Sequence, residues 1–133
     1  MIVVDTNVIA YLYLQTARSA QVEQLLVQDS AWAAPLLWRS ELRNVLALYI
    51  RKDLLSVVEA QEVMVAAQEV MEGREYKVVS FRVLALVAQS ACSAYDCEFV
   101  ALAQDLALPL VTVDKQILKE FPQVAVSLDD YLS

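Results

Sequence analysis

Histidine is absent from this chain, and with it the side chain that most often serves as a general base or a zinc ligand near neutral pH. Cysteine is nearly absent. Cys92 and Cys97 are not spaced as Cys-x-x-Cys, so a zinc or dithiol site is excluded and both are expected to be small core residues. Glycine occurs once and proline three times, which excludes a low-complexity or loop-dominated chain. Long apolar runs are missing too: the longest charge-free stretch, Val83 to Tyr95, has 13 residues, short of the ~18 needed to cross a bilayer. The first residues lack a basic flank and carry Asp5 inside their apolar stretch, unlike a secretory signal, so a cytoplasmic location is expected. Positive charge is scarce: 10 Lys and Arg face 17 Asp and Glu, a net charge of -7, which weighs against broad binding of nucleic acid through its phosphates.

What is present is apolar surface. At 133 residues and 59% hydrophobic, residues 1–133 are expected to form one domain of helices and buried strands, with enough apolar surface to suggest self-association. Met1 to Val4 reads as a buried strand ending at Asp5, after which Asp5, Thr6 and Asn7 can cap a helix starting near Val8. Ser19 to Gln28 has helical spacing, Ala31 to Ala34 suits a strand, and Pro35 fits the first turn of a helix running from about Leu36 to Arg51. A further helix, Ser56 to Gly73, opens with a Ser56–Glu59 capping box, and its acids form a solvated face. With the preceding helix it makes a hairpin able to clip onto a partner. Tyr76 to Val79 reads as a third strand, with Ser80 capping Phe81 to Ser90, and Ser93 opens a helix carrying Asp96 in its first turn. Pro109 to Val113 is a strand followed by Asp114 and a short helix, Lys115 to Glu120. Val124 to Ser127 is expected as an edge strand and Leu128 to Leu132 as a closing turn. This alternation predicts an α/β fold, a three-layer α/β/α sandwich with a central parallel sheet of four to five strands and helices on both faces.

Four acids stand out against that pattern. Asp5 and Asp114 follow strands, and ligands of open parallel sheets bind beyond the carboxyl ends of the strands. Glu41 shares a helical face with Leu37, Trp38, Val45 and Leu48, where a carboxylate is costly unless it meets a cation. Either an ion pair with Arg39 or Arg43 or a metal would satisfy it. Asp96, at a helix N-terminus, can point to the same rim. Such a cluster of carboxylates, with no nitrogen or sulfur ligand near, suits Mg²⁺ or Mn²⁺ and the hydrolysis of phosphate esters without a histidine base.

The stretches VDTNVIAYL, RSELRNVLALY, SAYDCEFVALAQ and PLVTVDKQIL, in this order and spanning essentially the whole chain, resemble the PIN domain family, and within it the VapC-like toxins of toxin-antitoxin systems. The resemblance implies a metal-dependent endoribonuclease whose acidic quartet is Asp5, Glu41, Asp96 and Asp114, supported by Asn7 and Thr112. It further implies a homodimer and an antitoxin protein that covers the active site. Lys115 and Gln116 stand where some relatives place another acid, which leaves a second metal position unassigned, and Glu98 lies about 200° around its helix from Asp96, expected to point elsewhere. For RNA contact the basic candidates are Arg39, Arg43 and Lys115, with Arg51 and Lys52 further along the same helix as Arg39. Two other readings compete. A phosphatase of the haloacid dehalogenase type would use Asp5 as nucleophile but expects a second Asp where Asn7 stands. A non-catalytic module with the same fold would only bind.

Overall fold

The computed structural model describes all residues, 1–133. Its elements run β1 (Ile2–Val4), α1 (Thr6–Tyr13), α2 (Ser19–Gln28), β2 (Trp32–Pro35), α3 (Leu37–Arg51), α4 (Val57–Met71), β3 (Glu75–Tyr76), α5 (Ser80–Ala88), α6 (Ala94–Leu106), β4 (Leu110–Thr112), α7 (Lys115–Glu120), β5 (Ala125–Ser127) and α8 (Leu128–Leu132). The five strands form one sheet in the order β3-β2-β1-β4-β5, and every pairing is parallel. From β1 the chain first builds outward through β2 to β3, then returns to the other side of β1 for β4 and β5. Right-handed crossovers therefore set α1 to α4 on one face and α5 to α7 on the other. The packing agrees: α1 lies against α2 and α3, whereas α6 covers β1, β2 and β4 with α5 beside it.

Burial explains why the short strands hold. β1, β2 and β4 are buried at every residue, and Trp32, Trp38, Phe99, Leu42 and Ile117 are among the largest fully buried side chains. Both cysteines are free and buried in this core. No helix is long and apolar enough to cross a membrane.

Several boundaries differ from those expected, each for a local reason. Pro35 ends β2 instead of opening the helix: Ala34 and Leu36 donate toward the β3 side, while the ladder from β1 stops at Ala33, so the N–H that Pro35 lacks has no bond to make. The third strand is only Glu75–Tyr76, because its one partner, β2, turns into α3 beyond Pro35 and leaves Lys77 to Val79 unpaired. Helix α5 begins at Ser80 itself with no side-chain cap, and Leu128 to Leu132 is a short helix capped by Ser127. Helix α1 starts at Thr6, immediately after Asp5. The Ser56–Glu59 capping box forms as expected, and Gly73 follows the end of α4 at φ 78°, a conformation glycine adopts without strain.

Candidate active site

The chain reverses direction across the sheet between β1 and β4, so the crevice at the carboxyl ends of these two strands is the place where an α/β sheet opens to a ligand. A cleft of about 500 Å³ lies there, lined by Asp5, Asn7, Glu41, Asp96 and Asp114 among others. All four expected acids thus meet, each from a different segment. Asp5 leaves β1, Glu41 projects from the first turns of α3, Asp96 sits in the first turn of α6 and Asp114 caps α7 through the N–H groups of Gln116 and Ile117.

Two threonine hydroxyls hold the arrangement. Thr112, fully buried, donates to Asp5 Oδ2 at 2.8 Å and accepts from the Asp114 N–H at 3.0 Å, which ties the ends of β1 and β4 together. Thr6 donates its backbone N–H to Asp5 Oδ1 at 2.7 Å and its hydroxyl to Glu41 Oε1 at 2.6 Å. Glu41 has no cation partner: Arg39 is paired with Glu75 through its Nε and Nη2, both at 2.6 Å, and Arg43 donates to Ser40. The ion-pair explanation for Glu41 is therefore replaced by a hydroxyl donor and an open cleft.

Burial and crowding favour the protonated acids. Asp5, only 7% exposed, is pushed up to about 6 from 3.8, mainly by desolvation and further by Glu41 and Asp96, against the opposing hydrogen bonds of Thr112 and Thr6. Glu41 and Asp96 are also raised, first by desolvation and then by Asp96 and Asp114 respectively. Removing the Thr6 hydroxyl should loosen this set. We expect Thr6→Val to weaken Mn²⁺ binding roughly tenfold, measured by calorimetric titration, while the stability of the fold falls by only about 1 kcal/mol.

The donors are all oxygens, which fits a hard divalent cation and no softer metal. In the geometry observed no three acids stand close enough to grip one ion unaided. Mg²⁺ does not require that, since it keeps several waters and takes one or two carboxylates directly.

The basic candidates separate. Arg39 is turned away from the cleft into a depression with Glu69, Glu72 and Glu75, a correction to its expected place on the rim that follows from the Glu75 carboxylate flanking its guanidinium. Arg43 reaches Ser40, which lines the cleft, and Lys115 is exposed directly after Asp114. Arg51 and Lys52 are at the far end of α3, about 15 Å along the axis from Glu41. Sequence reasoning missed Ser40, Asn44 and Tyr95, all of which line the cleft. Asn44 was accessible from the helical spacing of three from Glu41, and Tyr95 from its place beside Asp96.

A parallel sheet in this order, with an acidic cleft at its switch point, defines a PIN-type α/β domain, and the chain belongs to the PIN domain family, whose model matches residues 2–125. Among individual proteins, it is 31% identical over 124 residues to Ribonuclease VapC3 of Pyrobaculum aerophilum, covering 91% of this chain and 95% of that one. Two solved structures share the fold at 18% identity: PAE2754 from Pyrobaculum aerophilum (TM-score 0.78, 98% of this chain and 92% of the other) and a toxin-antitoxin complex from Klebsiella pneumoniae (TM-score 0.72, 96% and 98%).

Proposed function

We propose that this chain is an endoribonuclease that cleaves RNA phosphodiester bonds with Mg²⁺ or Mn²⁺, acting as the toxin of a toxin-antitoxin pair. The observation that carries the reading is the meeting of Asp5, Glu41, Asp96 and Asp114 in one cleft with only oxygen donors around them. The relative named Ribonuclease VapC3, alike over nearly its whole length, gives the substrate class. When bound, the cation would supply a nucleophile from water and neutralise charge developing on the transferred phosphoryl group.

The chain's own groups have distinct parts in this reading. Of Asp5, Glu41, Asp96 and Asp114, one or two would bind the cation directly and the others would reach it through its waters, with Asp5 fixed by Thr112 and Glu41 by Thr6. Asn7, expected to support the acids, lines the cleft with no side-chain hydrogen bond to them; in this reading it would donate to a phosphate oxygen, with Arg43 and Lys115 supplying positive charge at the rim. A homodimer and an antitoxin partner complete the proposal, and the exposed side chains Val57, Val58 and Val65 on α4 and Phe81 on α5 offer apolar surface for such contacts.

The test is cleavage of single-stranded RNA by the purified protein with Mn²⁺, with EDTA, and with EDTA followed by excess Mn²⁺. Cleavage is expected in the first and third conditions only, with phosphomonoesters untouched. Turnover of a phosphomonoester without RNA cleavage would instead favour the dehalogenase-type reading, in which Asp5 is the nucleophile.

A further inference from the structure

A second cleft, of about 510 Å³, opens beside the acidic one on the same rim of the sheet. The two share walls: consecutive residues Leu36 and Leu37 line one each at the start of α3, and Asp96 and Glu98 line one each on α6. Glu98, offset around α6 from Asp96, lines this neighbouring cleft, where burial and then the charge of Glu41 raise its carboxyl above the ordinary range. There it is half-buried, and neither a hydrogen bond nor an ion pair engages it. Lys77, in the unpaired segment after β3, is exposed at the same cleft and has no acidic partner. The walls between them are apolar and include Leu36, Tyr76 and Val83.

We infer that this cleft binds one unpaired nucleotide of the RNA strand next to the cleavage point, its base between the apolar walls with an amine edge on Glu98 and its phosphate on Lys77. The inference rests on the nuclease reading above. An ionised carboxylate repels phosphate but accepts hydrogen bonds from base amines, and unpaired bases are commonly held against aromatic and apolar surfaces. Net charge explains the need for such a pocket. At -7 the chain cannot hold RNA chiefly through phosphates, so burial of a base has to contribute much of the affinity. The shared walls supply the continuity: a strand with a phosphate at the four acids brings its neighbouring base over Leu36.

The experiment uses the full chain with Mn²⁺ and an RNA library of random sequence, with the cleaved ends sequenced. Glu98→Ala should relax the preference at one position flanking the cut by roughly tenfold. Lys77→Met should raise KM at constant kcat and make the slope of log affinity against log salt shallower by about 0.7, the loss of one phosphate contact on a single strand. If both variants keep the wild-type base preference, KM and salt slope while Asp5→Asn is inactive, the subsite is wrong and the nuclease reading stands. If the wild-type protein cleaves no RNA with Mn²⁺, both fall together. A change of sedimentation from dimer to monomer in the two variants, with base preference unaltered, would mark the cleft as a protein contact and overturn the inference.

Discussion

Asp5→Asn is expected to lower RNA cleavage on the order of a thousandfold or more, equivalent to about 4 kcal/mol of transition-state stabilisation, and at the same time to make the metal-free protein more stable. The two effects have one cause. Asp5 is 7% exposed and its carboxyl is held up to about 6, so at neutral pH the fold carries an ionised group in a place that favours the neutral one. An amide of the same shape keeps an oxygen to accept from the Thr6 N–H, and its NH₂ donates to Thr112 Oγ1 in place of the bond that hydroxyl now gives, while the charge that a cation needs is gone. Stability should rise by about 2–3 kcal/mol in EDTA, read from urea denaturation. A non-catalytic binding module would give the same gain in stability with no cleavage to lose, so measuring both quantities on one variant separates that reading from the nuclease.

The second large effect is a pH dependence of stability that divalent cations cancel. The folded-state value for Asp5, about 6, lies above its ordinary 3.8, so between these limits the folded chain binds more protons than the unfolded one and stability falls as pH rises. Above about pH 6 the penalty is complete. Glu41 and Asp96 are raised as well and act in the same direction. In EDTA the protein should therefore melt at a higher temperature near pH 5 than at about pH 7.5, by roughly 5 °C if Asp5 dominates. Saturating Mg²⁺ favours the ionised carboxylates and should remove most of that difference, chiefly by raising the Tm at the higher pH. A Tm in EDTA that is flat or rising across this interval would show that the acids are not mutually destabilising in the folded protein.

Where these effects come from bears on how much a sequence can tell. The parallel strands and their order of appearance were legible because β1 and β4 are short, uninterrupted apolar runs and the helices between them keep a helical period. Asp5, Asp96 and Asp114 were legible for a related reason: ends of strands and first turns of helices are local features, marked by the residues that cap them. Glu41 was visible as a charge on an apolar face. Its partner was not. The Thr6 hydroxyl is 35 residues away, whereas the local candidates Arg39 and Arg43, two positions from Glu41, leave other sides of the helix, and Arg39 is held by Glu75 from β3. The extent of β3 was also out of reach, since an edge strand lasts only as long as its neighbour does.

The sequence by itself determined which donors this protein can offer: with no histidine, only two cysteines and those not spaced as a pair, and acids near the ends of elements, the donors are oxygens. Those facts follow from composition and from periodicities within single segments, where neighbouring residues set the local structure. Tertiary structure alone decided that the four acids share one cleft, that Thr6 and Thr112 hold two of them, and that Glu98 and Lys77 face a second cleft beside it. Each of these depends on strand order and on the hand of the crossovers, which bring distant segments to the same rim. The free energy that fixes them is the burial of the whole apolar core, a quantity no single segment contains.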